Sequence, residues 1–185
     1  MNFELPVALE IDGVERPIRS DYRVALDICV ALSDPEFTQS EKTIALLSML
    51  YIAPEEIKDF DAAVRQGLWF IACGDDMTPQ RKRPKLVDWE QDFPYIAAPI
   101  NRLAGKEIRS MEYMHWWTFV SFYYEIGECT FASIVSIRSK KAKGKKLEKH
   151  EREFERENRH LINFKRRSVT DEERDFIDQL LKGGA

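Results

Sequence analysis

The sequence predicts a mainly α-helical protein: a helical bundle with an N-terminal β-hairpin and a charged C-terminal helical arm. Three observations carry this expectation. Near-alternating apolar residues flank an Asp-Gly pair close to the start. Apolar stripes at the 3.6-residue period, with capping residues before them and Gly or Pro after, fill most of the rest. The charge is also segregated. Residues 138–167 hold 13 Lys+Arg and 5 Glu, a balance of +8, so the formal net charge of −4 leaves −12 for the remainder.

Residues 5–18 read as the hairpin. Val7, Leu9 and Ile11 alternate, and Asp12-Gly13 offers the two positive-φ residues of a tight type I′ turn. Pro17 limits the returning strand to an edge or an end. A lone hairpin is marginal in water, so this one must pack on helices or pair with a second copy. Ser20-Asp21 caps a helix over 22–32 with Tyr22, Ala25, Leu26, Cys29 and Val30 on one face. Thr38 or Ser40 opens a second, with Ile44, Leu47, Leu50 and Tyr51. Pro54-Glu55-Glu56 reads as the first turn of a third, running towards Cys73 and stopped at Gly74.

Residues 74–88, rich in Pro and charge and including Arg81-Lys82-Arg83, read as an internal linker. A helix over 92–103 follows, ended by Gly105, with Pro94 tolerable in a first turn and Pro99 expected to kink it or shift its start. Residues 111–126 are apolar nearly all round and predict a central helix. Residues 130–138 continue helically through Phe131, Ile134, Val135 and Ile137. Residues 140–146 are a Lys-rich hinge. Residues 146–164 predict a solvated helix with i,i+4 pairs Glu148–Arg152 and Glu155–Arg159. Thr170-Asp171-Glu172-Glu173 forms a capping box for a last helix to Leu181. The organisation expected is thus a body over 1–139 and an arm over 140–185.

At 185 residues and 44% apolar, the chain can bury a sizeable core and is neither disordered nor membrane-spanning in composition. Three scattered cysteines, Cys29, Cys73 and Cys129, suit a reducing compartment, and no signal-peptide pattern opens the chain. These features predict a cytoplasmic protein. Glycine-rich phosphate loops and nucleophile elbows are absent from the sequence, and no cofactor is expected.

Two Glu-x-x-His spacings, Glu112/His115 and Glu157/His160, could place metal ligands on helix faces. With Glu41, Glu56, Glu125 or Glu128 they would make a di-metal carboxylate site. The solvated surroundings of Glu157 and His160 favour chance spacing, so no metal is expected. His115, Trp116, Trp117 and Phe119 form the densest aromatic spot, read as a structural core cluster. The basic segment could contact nucleic acid, but its interspersed Glu residues and acidic whole chain favour a protein partner. Lys140, Lys141, Lys143, Lys145, Lys146, Leu161, Ile162 and Phe164 are the expected partner contacts.

Several stretches in order carry a resemblance. The hairpin leads into Ile18-Arg19-Ser20-Asp21-Tyr22-Arg23-Val24-Ala25-Leu26. Then come Asp88-Trp89-Glu90-Gln91-Asp92-Phe93-Pro94-Tyr95-Ile96, Met114-His115-Trp116-Trp117-Thr118-Phe119 and Phe131-Ala132-Ser133-Ile134-Val135-Ser136-Ile137-Arg138. Over residues 5–164 this resembles the bacteriophage "gene product fifteen" family of small phage and prophage proteins. The family offers no catalytic residues to carry over. The resemblance implies a tail-morphogenesis protein similar to tail assembly chaperones, made in the bacterial host cytoplasm. Its implied partners are the tape-measure protein and the tail tube, with a possible homo-oligomer, no membrane and no enzymatic activity. A nucleic-acid-binding phage protein is the alternative.

Overall fold

The computed structural model describes residues 4–75 and 84–165. Strands β1 (Ala8–Ile11) and β2 (Val14–Pro17) pair antiparallel, with Leu9 opposite Arg16 and Ile11 opposite Val14. Asp12 and Gly13 turn at φ of 54° and 73°, the geometry of a type I′ hairpin. Leu9 and Ile11 are buried, and β1 packs on the third helix. The returning chain is tied to the end of the second helix, Arg19 N–H donating to the Leu50 carbonyl at 2.8 Å and Ile52 N–H to that of Pro17 at 3.2 Å.

Helix α1 (Tyr22–Ser33) starts at Asp21, whose carboxylate accepts the Arg23 N–H at 2.9 Å. Its buried face is Tyr22, Ala25, Leu26 and Ile28, while Cys29 and Val30 are half-buried. Helix α2 (Gln39–Leu50) opens with a reciprocal capping box between Thr38 and Glu41. Leu46, Leu47 and Leu50 face inward, and Ile44 lies on the exposed side, against expectation. The Arg19 guanidinium caps the other end through the carbonyls of Ser48, Met49 and Tyr51.

Pro54–Glu56 is a single 3-10 turn rather than the start of a long helix. Asp59 restarts the chain as α3 (Phe60–Ile71) by accepting the Ala62 N–H at 2.9 Å. Its carboxylate competes for a backbone donor that a continuous helix would have used. Gly67 lets α2 and α3 approach, since a Cβ there would lie 3.1 Å from Leu50 Cδ2. Gly74 ends the element, as the sequence predicts, with φ of +85° and its N–H on the Trp69 carbonyl at 2.9 Å.

Helix α4 (Trp89–Ala104) begins earlier than predicted because Asp88 caps it, and ends at Gly105 in the left-handed region. It runs on through Pro94 and Pro99, each removing one i→i−4 bond. The buried face of Ile96, Ala97, Pro99 and Ile100 offsets that loss by packing.

The central helix expected over 111–126 is only α5 (Trp116–Tyr124). Residues before it are drawn into an extended pairing with the start of α1. Asp21 bridges His115, Tyr22 N–H donates to Met114 and Trp116 N–H to Ser20, at 2.9 and 2.8 Å. These tertiary bonds use backbone groups that a longer helix would need.

Helix α6 (Thr130–Ala142) also extends past its predicted end, so Lys140 and Lys141 lie in its last turn rather than in a hinge. The single charged helix expected over 146–164 is two, α7 (Lys149–Glu157) and α8 (Arg159–Ile162), broken at Asn158. Glu155 of α7 pairs with Lys141 of α6, and Glu151 with Lys140 at 2.7 Å. The helix predicted over 170–181 and the Arg81-Lys82-Arg83 run lie outside the described residues. Among the described residues there are eight α-helices and one two-stranded sheet, and no helix is long and apolar enough to cross a membrane.

A main core joins the hairpin to α1–α5 and to Phe131 at the start of α6, and a smaller one gathers Ile134, Ile137, Leu161 and Ile162. The two are linked by Arg138, 4% exposed, against Asp92, 1% exposed. The guanidinium donates to both Asp92 oxygens and to the carbonyls of Leu86, Leu161 and Ile162. Asp92 also accepts the Asp88 N–H at 2.8 Å.

Replacing Asp92 with Ala strands a buried cation and should lower the unfolding free energy by about 3–5 kcal/mol. Arg138→Lys keeps the charge but loses the five-donor fork, and should fall between that variant and wild type in urea unfolding. Near-wild-type midpoints for both would refute the anchoring role. A second expectation concerns acid. Hydrogen bonds from the Arg109 side chain and backbone hold the Glu107 carboxyl down to about 2 against an ordinary 4.5. A depressed carboxylate stabilises above its unfolded value and loses that contribution as pH falls through the folded one. The stability gap between wild type and Glu107→Gln should therefore shrink between about pH 4.5 and 2, read by urea unfolding across that range.

Candidate functional site

A concave, aromatic-lined feature is built where α3 ends against α5. The last carbonyls of α3 lack helical i+4 donors, and two indoles bond to them, that of Phe70 also accepting the Cys73 N–H at 3.0 Å. Trp116 Nε1–H donates to Ile71 at 3.0 Å and Trp117 Nε1–H to Phe70 at 2.9 Å. Gly74 sits against the Trp117 ring, where a Cβ would meet Cη2 at 3.3 Å. Cys73, just before it, also takes a positive φ of 57°, a region uncommon for a non-glycine residue.

The chain turn so positioned forms one wall of an open pocket of about 500 Å³. Cys29 from α1 and Trp89 from the first turn of α4 form other walls. Trp116, Val120, Tyr123 and Tyr124 of α5 complete it. The rings brace one another: Trp89 lies 5.2 Å from Tyr123 and 6.4 Å from Trp116, centroid to centroid. Tyr124 stands at the rim, 80% exposed. Burial pushes the Cys29 thiol up to about 12 and Cys73 up to about 11, and lifts the Tyr123 hydroxyl to about 12. These three groups stay protonated near neutral pH, and the exposed Asp75 is the acidic member of the lining.

His115, Trp116 and Phe119 are buried beside this pocket and Trp117 is half-buried. His115 is the cap of α5: Nδ1 accepts the Trp117 N–H at 3.0 Å, and Nε2 lies 3.0 Å from the Pro6 carbonyl. Both ring nitrogens are engaged, and Glu112 points to solvent, so that Glu-x-x-His pair does not converge on a metal position. The break at Asn158 takes Glu157 and His160 out of a common helical register. Among the described residues no three His, Cys, Asp or Glu side chains form a metal-binding group.

The expected partner contacts divide. Leu161 and Ile162 are buried in the smaller core, held there by Arg138 and by Gln91, whose amide donates to the Leu161 carbonyl. They are therefore engaged within the chain. Phe164 lies under the Arg138 guanidinium, 4.2 Å from it, and is 37% exposed. Lys140 and Lys141 are matched by Glu151 and Glu155. Lys143, Lys145 and Lys146 extend into solvent. The Trp89–Tyr123–Tyr124 part of the pocket has no local sequence signature. Its residues lie on helices far apart in the chain, and only the clustering of aromatics in α5 hints at it.

A family model described as Bacteriophage Gp15 protein matches residues 1–163. No curated protein and no solved structure matches the chain.

The raised thiols give a direct check on the pocket walls. At about pH 8 a disulfide reagent reacts through thiolate. Cys29 and Cys73 should be modified more slowly in the native protein than in urea. Equal native and denatured rates, assigned by peptide mass, would contradict the half-buried placement of both thiols.

Proposed function

The chain belongs to the Bacteriophage Gp15 protein family, and from that premise we propose that it is a tail-assembly protein of chaperone type, acting by contact rather than by catalysis. Its client in this reading is the tape-measure protein, which it would hold in the host cytoplasm for delivery to the growing tail tube. The observation that carries the reading is the pocket between α3, α4 and α5. A concave site walled by Trp and Tyr, with an aromatic rim in solvent, suits the apolar face of a client helix. Tyr and Trp bury large area at small entropic cost, and each keeps a polar tip that tolerates water at the rim. Contact chemistry is also supported by what the reactive side chains do instead. The Cys29 and Cys73 thiols are held protonated by burial, and both His115 nitrogens serve a helix cap and a backbone carbonyl.

Co-expression with the tape-measure protein of the same phage tests this. The full-length chain should co-purify with it. Tyr124→Ala removes an exposed ring without touching the core, and should weaken binding about tenfold, the scale of a moderate interface hot spot. Failure of the wild-type chain to bind would overturn the client assignment. Unchanged affinity for the variant would move the contact away from this pocket.

A further inference from the structure

The hairpin presents an outer face that its own chain leaves open. The Ile18 N–H donates to the Val7 carbonyl at 3.0 Å, so Val7–Ile18 is a hydrogen-bonded pair. Pairs alternate along an antiparallel ladder. Ala8–Pro17 and Glu10–Glu15 are therefore the non-bonded pairs, consistent with the missing N–H of Pro17. In such a pair the residues approach to about 4.5 Å between Cα atoms. The Glu10 and Glu15 carboxylates thus stand side by side on one face. Both are exposed, and neither makes an ion pair among the described residues. Like charges directly opposite one another weaken a strand pair, and a two-stranded hairpin has little stability to spare. Asp12, exposed at the turn, adds a third negative charge.

The same non-bonded register aims the backbone N–H and C=O groups of Ala8 and Glu10 away from β2, at the outer edge of β1. Pairing of that edge with the same edge of a second copy would bring two acidic strands together. Glu10 therefore guards against hairpin-to-hairpin addition and favours a basic neighbour.

A basic surface of fixed shape exists elsewhere on the chain. After α6, Gly144 turns at φ of +64°, and its N–H closes on the Lys141 carbonyl at 3.0 Å. The Lys145 N–H closes on Lys140 at 2.9 Å. This cap displays Lys143, Lys145 and Lys146 in solvent, while Lys140 and Lys141 are already neutralised by α7. Three exposed cations on a capped turn thus match three exposed anions on a hairpin. The two patches belong to different parts of the fold: the hairpin packs on α3 and the end of α2, and the turn joins α6 to α7 beside the smaller core.

We infer that the chain self-associates head to tail, the acidic hairpin face of one copy seating the Lys143–Lys146 turn of the next. The contact is heterologous, so each copy keeps one free acidic and one free basic patch, and repetition builds a chain or closes a ring. It uses neither the aromatic pocket nor Tyr124, so it stands or falls apart from the client assignment.

Sedimentation of the full-length protein tests it. Wild type should form concentration-dependent assemblies at ionic strength of about 0.05 M and dissociate at about 0.5 M, where screening reaches into the contact. E10K/E15K and K143E/K145E/K146E each place like charges across the contact and should be monomeric at the lower salt, with wild-type circular dichroism. Mixed in equal amounts, the two variants have complementary hairpins and turns and should associate again. The chain carrying all five substitutions should do so alone. A wild-type monomer at low salt, assemblies that persist in both variants, or two variants that fail to associate when mixed would each overturn the inference.

Discussion

A buried guanidinium holds the two halves of this protein together. Arg138 reaches from α6 to the Asp92 carboxylate on α4, the Leu86 carbonyl before α4 and the last carbonyls of α8. A charge taken this far from water is tolerable only when every donor finds an acceptor. The arrangement therefore constrains more than the pair. Asp88 must start α4 where it does, so that Asp92 faces inward while accepting the Asp88 N–H. The chain after α7 must break at Asn158 and turn, so that α8 brings its carbonyl ends to the guanidinium. Leu161 and Ile162 then fall against Ile134 and Ile137, and the smaller core closes.

The same economy of backbone groups shapes the body. Arg19 satisfies the end of α2, Trp116 and Trp117 satisfy the end of α3, and the Asn101 side chain accepts the Ile108 N–H beyond α4. For α2 and α3 the capping side chains come from distant sequence positions, which ties the stability of one helix to the placement of another. The pocket is a by-product of this. Once the indoles are fixed on α3, the remaining face of α5 turns Val120, Tyr123 and Tyr124 towards Trp89 and leaves a concave apolar surface. A surface made by rigid aromatic packing is preorganised for contact, which lowers the entropy lost on binding.

Much of the fold was legible because it is local. The hairpin rests on Asp12-Gly13, α1 on Asp21, α2 on the Thr38–Glu41 box, and the ends of α3 and α4 on Gly74 and Gly105. Each is decided within four or five residues. Three expectations failed for one shared reason. The continuous helix from Pro54, the long helix over 111–126 and the single arm helix are all periodic in apolar or charged pattern, yet each is broken. Asp59 takes an N–H, Ser20–Tyr22 take the backbone around His115, and α8 turns at Asn158 to meet Arg138. Periodicity reports which residues could share a helical face, and cannot report a group that competes for the backbone, whether as near as Asp59 or as distant as Ser20 and Arg138.

The sequence by itself determined the fold class, the order of the elements, most of their capped ends and the separation of acidic body from basic segment. It also held the ordered residues on which the family likeness rests. Tertiary structure alone decided where the charge is still available. Lys140 and Lys141 are spent on α7, whereas Lys143, Lys145 and Lys146 remain in solvent. It likewise turned Leu161 and Ile162 inward and assembled a pocket from α1, α3, α4 and α5. The physical reason is range. Caps, turns and periodicity act over a few bonds of chain, whereas pairing of charges and convergence of aromatic rings depend on distances in space that linear order does not encode.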